Sequence, residues 1–312
     1  MSIETLAKLA TMTIAALLAA GCASAPEPPP QPEPVAAVER PLPDYDAVAA
    51  RINVRSERLE RFFAGATTRV WYIGEQGEEE TEQLDGYVHM VAPDKISLTL
   101  QKLGVDGAVL GSNEQRYWWF DLAEDPPVAA IGTHEKADPD RLGDFYLPVH
   151  PLDLILLFGF APMPERDDEA AEMRWSPGGE RLIVAAEARW GACEYWLDPE
   201  SLEVQRVVLR RAADEPPVLT ADLPIYQEFD DRVSGLPTKV RVPRRMLIDV
   251  PALDARARLT ISAPRADRRR PDDRAFQLQD ALARHGIKAF RDVDRELEQR
   301  SRSRPERGER AP

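Results

Sequence analysis

Few residues of this chain have the type and spacing to do chemistry, and the two cysteines are the place to begin. Cys22 closes the run Leu18-Ala19-Ala20-Gly21-Cys22, behind a stretch of small and apolar residues from Leu9 to Ala20. Small residues directly before a cysteine suit a processing peptidase, and the chemistry expected at Cys22 is acylation of its sulfur. Cys193 is then left without a disulfide partner. Its place beside Tyr195 and Trp196 in an apolar strand makes it a buried structural thiol. The four histidines, His89, His134, His150 and His285, are scattered along the chain. His134-Glu135-Lys136-Ala137-Asp138 comes nearest to a zinc motif, but Asp138 stands where a second histidine is needed, and Pro139 disfavours a helix. Asp138, Asp140, Gly143 and Asp144 have part of a calcium loop, yet its twelfth position is Val149 rather than a glutamate, so turn formers are expected. His150, just before Pro151, is expected to cap a helix or lie at the surface. No glycine-rich phosphate loop and no G-x-S-x-G elbow occurs, and no two carboxylates are paired by their spacing. No cofactor, no metal and no enzymatic activity is expected.

The elements around Cys22 fit export. Lys8 and the α-amino group outweigh Glu4, and the apolar run that follows is shorter than the ~20 residues a bilayer span needs. It suits a signal peptide over residues 1–21. The run into Cys22 resembles a lipobox, with Ala19 where a leucine is usual. That resemblance implies a bacterial lipoprotein with palmitate-type chains on Cys22. At ~0.8 kcal/mol per buried CH₂, one chain anchors reversibly and two or three durably. Residues 22–44 follow as a spacer dense in proline (Pro26, Pro28, Pro29, Pro30, Pro32, Pro34, Pro41, Pro43). At ~3.1 Å per residue such a segment extends on the order of 60 Å. Under the proteobacterial sorting rule, Ala23 in place of aspartate points to the outer membrane, facing the periplasm. A net charge of −14 argues against nucleic acid as a partner.

Residues 45–264 are expected to form one domain, and 265–312 a basic tail, partly helical or disordered. Val48, Ile52, Leu59, Phe62 and Phe63 predict an amphipathic helix from Tyr45 to Phe63, stopped by Gly65. The period then becomes two. Strands are predicted over Arg69–Ile73, Gly86–Val91, Ile96–Leu103, Val105–Leu110 and Arg116–Leu122, and Ala92-Pro93-Asp94-Lys95 makes a turn. Leu152–Phe160, apolar nearly all round except Asp153, predicts a buried helix. Further strands are predicted at Arg181–Ala188, Cys193–Leu197, Val204–Arg210, Thr238–Val242, Met246–Val250 and Arg258–Ser262. Helix, strands, helix, strands favours an α+β fold with an antiparallel, meandering sheet and helices over one face. Tyr117-Trp118-Trp119-Phe120 adds a demand: consecutive strand residues point to opposite faces, so both faces of that strand need apolar company.

The stretch from Gly86 to Leu100, a glycine, a strand, a proline turn and an alternating apolar strand, resembles the opening strands of the lipoprotein-localisation proteins LolA and LolB. Gln101-Lys102-Leu103-Gly104 is similar in position to the projecting loop of LolB. The segment from Leu147 to Pro162 resembles its proline-punctuated helix, and Gly235-Leu236-Pro237-Thr238-Lys239-Val240 a late strand. The resemblance implies an eleven-stranded half-open β-barrel with helices covering the concave face, and a hydrophobic cavity for the acyl chains of lipids or lipoproteins. The residues expected to line that cavity are Trp71, Ile96, Leu98, Leu100, Leu154, Leu157 and Phe158, with Leu103 on a loop that meets membrane or cargo. The alternative is a structural lipoprotein with a filled core that docks an envelope protein partner through surface aromatics.

Overall fold

The structure, a computed structural model, describes residues 40–74, 76–137, 150–164, 171–189, 191–229, 240–266 and 273–303. Cys22, the expected signal segment, most of the expected spacer, the acidic stretch from Asp138 to Asp144, the run Gly235–Lys239, and the arginines at 268–270 and 304–310 lie outside the described residues.

Helix α1 spans Tyr45–Arg58 because Tyr45, Val48, Ala49, Ile52 and Ser56 make one buried stripe. It stops five residues short of the expected Phe63. Phe62 and Phe63 belong instead to β1 (Arg61–Ile73), where Phe62, Ala64, Ala66 and Thr68 are buried alternately. Two adjacent aromatics satisfy a helical stripe on paper, but a strand sends them to opposite faces. The chain continues through β2 (Glu79–Val91), β3 (Lys95–Lys102), β4 (Val105–Ser112), β5 (Arg116–Asp121) and β6 (Val128–Thr133). After α2 (Pro151–Leu157) come β7 (Glu172–Trp175), β8 (Leu182–Ala188), β9 (Gly191–Leu197), β10 (Val204–Arg210), β11 (Leu219–Phe229), β12 (Val240–Val250) and β13 (Ala255–Ala266). Helix α3 (Leu278–Arg284), the short β14 (Arg291–Asp292) and α4 (Val293–Ser303) complete the chain.

Among the described residues these strands form one fourteen-stranded sheet, ordered β14-β6-β5-β4-β3-β2-β1-β13-β12-β11-β10-β9-β8-β7. Strands adjacent in this order are consecutive in sequence, apart from the join of β1 to β13 and the parallel pairing of β14 with β6. The two ends of this order do not pair with each other, so the sheet stays open. The α+β class and the half-open antiparallel architecture therefore hold, with fourteen strands in place of eleven. Strands β6, β7, β11 and β14 go beyond the sequence expectation, and β12 runs unbroken through Pro243, where alternation predicts two strands.

The main core lies on one face, the inner face. Val88, Met90 and Ile96 from β2 and β3 share a single contiguous cluster with Leu182, Val184, Cys193 and Tyr195 from β8 and β9. Strands so far apart in order meet one core only if the sheet curls around it, and α1 and α2 fill the space between. The outer face has a smaller core of its own. Trp118 and Phe120 are packed there with Val109 and Ile131 under Leu278, Ala281 and Leu282 of α3. Tyr117 and Trp119 face the other way, toward Leu110 and Leu154. The helical part of the expected tail is thus part of the fold: α3 covers the outer face, and α4 seats Val293 and Leu297 on Ala130.

Two glycines make room for these aromatics. A Cβ on Gly111 would stand 2.4 Å from the Trp118 ring, and one on Gly132 would stand 2.4 Å from the Tyr117 hydroxyl. Gly107, in the same part of the sheet, would meet nothing nearer than 3.8 Å. Gly132→Ala is accordingly expected to lower stability by about 1–3 kcal/mol, the usual cost of overpacking. Gly107→Ala is expected to leave the chemical denaturation midpoint within experimental scatter.

Candidate functional site

The site is built around α2, whose first turn is fixed by a reciprocal cap. His150 is the N-cap; its Nδ1 accepts from the Leu152 N–H at 3.1 Å, and Pro151 takes the first helical position. The Asp153 carboxylate reaches back and accepts from the His150 backbone N–H, so the two side chains form a capping box. The expectation that His150 caps a helix is met, and the ring is also buried. The histidines are less scattered than the sequence suggests. The His150 ring lies 5.3 Å from that of His134 and 4.7 Å from that of Tyr117, centroid to centroid. Burial first, then the nearness of His134 and Arg189, pulls His150 down to about 2, so it is neutral at any physiological pH. His134 Nε2 lies 2.7 Å from the Asn113 carbonyl oxygen, which assigns the proton to that nitrogen.

The far end of α2 turns on Gly159, at φ +68°, where a Cβ would also crowd Val204 at 3.0 Å. Beyond it Phe160 and Phe158 close around Phe62 of β1, with centroids 5.1 Å and 6.1 Å from it. Helix α1 holds the segment after Gly159 by its backbone. Asn53 donates to the Met163 carbonyl at 3.1 Å and accepts from the Met163 N–H at 2.7 Å, while the Tyr45 hydroxyl donates to Pro164 O at 2.7 Å. The half-buried Arg55 guanidinium donates to the carbonyls of Gly159 at 3.3 Å and Leu202 at 3.4 Å. Burial draws its pKa down, opposed by nearby Tyr226 and Glu203.

Most residues expected to line a cavity come together, but as packed neighbours. Ile96, Leu157 and Phe158 are sealed in the main core, and the half-buried Leu98 and Leu154 pack against that core and against Leu110 and Tyr117. Leu100 continues the same face of β3, paired with Gly86 and Ala108. Trp71 is placed differently. The unbroken β1–β2 register sets it on the same face as Phe63 and Thr67, opposite Phe62, with the Arg258 guanidinium 5.3 Å above its ring. A strand begun at Arg69 leaves the facing of Trp71 open to assignment in the cavity; one of even period from Arg61 fixes its parity the other way. Leu103 lies at the tip of the β3–β4 hairpin, at φ +54° beside Gly104 at φ +80°, and is 100% exposed.

Open apolar space lies on the other flank of α2. A cleft of about 350 Å³ runs between Leu152, Ile155 and Leu156 of α2, the segment Ala161–Pro164, and the ends of β8 and β9. Its rim carries Asp94, Glu187 and Arg189, and Asp153 lines its wall. Cys193 and Tyr195 close its floor, their side chains hydrogen-bonded to each other. Burial pushes the Cys193 thiol up to about 12, so it stays protonated and unreactive, as expected of a structural thiol. A cavity of similar size, about 360 Å³, is bordered by Arg51, Arg55, Arg58, Arg241 and Glu203, and its charge suits an apolar guest poorly. The sequence carries one clue to the first cleft, a single aspartate in an otherwise apolar helix.

Asp153 dominates the electrostatics of the cleft. Burial pushes its carboxyl up to about 7, against the pull of Arg211 and the His150 N–H. A folded-state value above the unfolded one near 3.8 means that the native state binds the proton more tightly. Stability from this group is therefore complete below about pH 4 and is lost progressively up to about pH 7. Asp153→Asn, which can still accept from His150 N–H, is expected to raise the thermal midpoint above pH 7. Its advantage should shrink steadily toward pH 4.

No protein-family model matches this chain, and no curated protein matches it. Solved structures do. A DUF1329 family protein from Desulfovibrio piger is 12% identical over 75% of this chain and 97% of its own, with a TM-score of 0.47. A LolA superfamily protein from Nitrosomonas europaea is 9% identical over 76% and 99%, with a TM-score of 0.47. A domain from Vibrio parahaemolyticus, described as an outer membrane lipoprotein-sorting protein domain, is 12% identical over 76% and 97%, with a TM-score of 0.45.

Proposed function

We propose that this chain is a lipid-anchored protein of the bacterial envelope that shelters acyl chains of a lipid or lipoprotein on the inner face of its sheet and catalyses no reaction. The observation that carries this reading is the cleft beside α2, about 350 Å³ in volume and walled mostly by aliphatic side chains. Ligand sites span roughly 300–1,000 Å³, so the space suits part of one chain rather than a whole lipid. The hairpin tip supports the reading: Leu103 and Val105 stand out at 100% and 70% exposure, an apolar point able to enter a bilayer or touch cargo. Acylation at Cys22 would keep the domain at the outer membrane, on the periplasmic side, with the proline-rich spacer giving it reach. Sorting of lipoproteins to that membrane is the task this combination fits. A second reading, an interaction lipoprotein with a filled core and an envelope protein partner, is favoured by the sealing of Ile96, Leu157 and Phe158.

Native mass spectrometry with organic extraction, on the chain purified from a bacterial envelope fraction, separates the two. Co-purifying phospholipid or acylated peptide, lost on Leu156→Trp, is expected if the cleft holds acyl chains. A clean protein that also fails to take up an environment-sensitive fatty-acid probe sinks the acyl reading and leaves the filled-core one. For the hairpin tip, Leu103→Asp is expected to weaken binding of the Cys22→Ser chain to phosphatidylethanolamine–phosphatidylglycerol vesicles roughly tenfold, the effect of withdrawing one leucine from apolar surroundings. Unchanged binding in sedimentation would remove Leu103 from any membrane contact.

A further inference from the structure

On the α2 side of the cleft one polar residue, Asp153, sits among aliphatic ones, and the fold explains its presence only in part. Asp153 belongs to the capping box of α2, and its hydrogen bond within the fold comes from the His150 backbone N–H. A carboxyl has a second oxygen, and this side chain lines the cleft among Leu152, Ile155, Ala161 and Met163. The second oxygen of a capping-box acid usually meets water at a helix surface; here the same residue lines a largely apolar pocket. Resting on the acyl-binding reading, we propose that Asp153 fixes the polar end of the bound acyl group. Its carboxyl O–H donates a hydrogen bond to the carbonyl oxygen of a fatty-acyl ester or amide, and the chain fills the aliphatic part of the cleft.

The surroundings favour the donor form. Burial is the largest influence on this carboxyl and holds it near neutrality in its proton-bearing state. The charged and titratable groups around it are Arg211 beyond β10, His150 in its own cap, Cys193 and Tyr195 on the floor, and Asp94, Glu187 and Arg189 at the rim. His150, Cys193 and Tyr195 are all held neutral by burial. Arg211 alone among the named influences draws the carboxyl toward ionisation by charge. A guest that fills the cleft removes the remaining water and shifts the balance further toward the protonated acid. An ester or amide carbonyl accepts hydrogen bonds and has none to donate through that oxygen, which matches a carboxyl O–H and mismatches a carboxylate.

The test is displacement of an environment-sensitive apolar dye from the full chain carrying Cys22→Ser, with octane, methyl octanoate and N-methyloctanamide as competitors. At pH 6 the ester or the amide is expected to compete about tenfold better than octane, the effect of one well-made hydrogen bond in a dry site. That advantage should fade above pH 8. Preference between the two competitors tells an ester-linked lipid from an amide-linked acyl group. Asp153→Leu should bind octane and lose the carbonyl preference, and Asp153→Asn should keep the preference at both pH values, since its amide N–H₂ donates without titrating. Octane and the carbonyl compounds competing alike in the parent chain would overturn the role of Asp153 while leaving acyl binding intact. Its role is equally overturned if octylamine is preferred and its advantage grows with pH, because the carboxylate is then pairing with a cation. Failure of every competitor, and of the dye itself, would overturn the acyl-binding reading.

Discussion

An open sheet with one apolar face must have that face covered by something other than its own strands, and the rest of this structure follows from how the cover is held. The cover is α1 together with the run from His150 to Pro164, and its attachment is polar at the rim and aromatic at the centre. Phe62 on β1 meets Phe158 and Phe160, which fixes where the chain leaves α2. Asn53, Tyr45 and Arg55 then hold the carbonyls of Met163, Pro164 and Gly159, groups that end up outside any strand or helix ladder. Buried backbone carbonyls left unsatisfied would each cost about 1–3 kcal/mol, so an arginine that serves two of them offsets its partial loss of water. The stripe of α1 facing the core and the polar residues at its edge thus perform separate tasks: burial places the helix, and hydrogen bonds place what lies beside it.

The same cover decides where open space remains. Its aromatic end is packed against β1, and its other flank faces β8 and β9, where Ala186 and Ala188 leave space beside Cys193 and Tyr195. Asp153 lies at the boundary, satisfying the N-terminus of α2 with one part of its carboxyl while the apolar wall raises the energy of its charge. A helix with leucine there would lose the reciprocal half of its cap, and one with a solvent-facing acid would not feel the wall. The position makes sense where a helix must begin at the edge of an apolar pocket.

Alternation is the part of the architecture most legible in the sequence. Ile96, Leu98 and Leu100 share a face as their spacing dictates, and Val204–Arg210 has the predicted bounds. Period alone does not say where a strand begins. The start of β1 is hidden behind α1 because Leu59, Phe62 and Phe63 extend a helical stripe as readily as they open a strand, and the displaced start misassigns Trp71. Strand β6, Val-Ala-Ala-Ile-Gly-Thr, has too little volume to read as a strand at all; its alanines and glycine are small because Tyr117, α3 and α4 press on them. The pairing of His134 with His150 is illegible for a different reason, since it depends on the cover folding back over β5 and β6. Asp153 is visible as an anomaly, yet its meaning needs the cleft, a feature made by distant segments.

The outer face shows how a sheet strand with four consecutive aromatics is accommodated. Tyr117 and Trp119 are absorbed on the inner side, which leaves Trp118 and Phe120 to be covered from outside. Helix α3 does this from a region whose composition, rich in arginine and acid, reads as a solvated tail. Its Leu278, Ala281 and Leu282 recur at helical spacing within that charged background, enough to cover two aromatic rings and no more. Charge density over such a segment therefore says little about whether it belongs to the core; three apolar residues on one stripe suffice when the complementary patch already exists. The hairpin tip is the opposite case. Leu103 takes a left-handed backbone at a cost of about 1–2 kcal/mol relative to the right-handed form, and its side chain, fully exposed, gains no burial to offset it. A glycine or asparagine would form the turn more easily, so the folding of the hairpin does not account for a leucine there, whereas contact with an apolar phase outside the protein would.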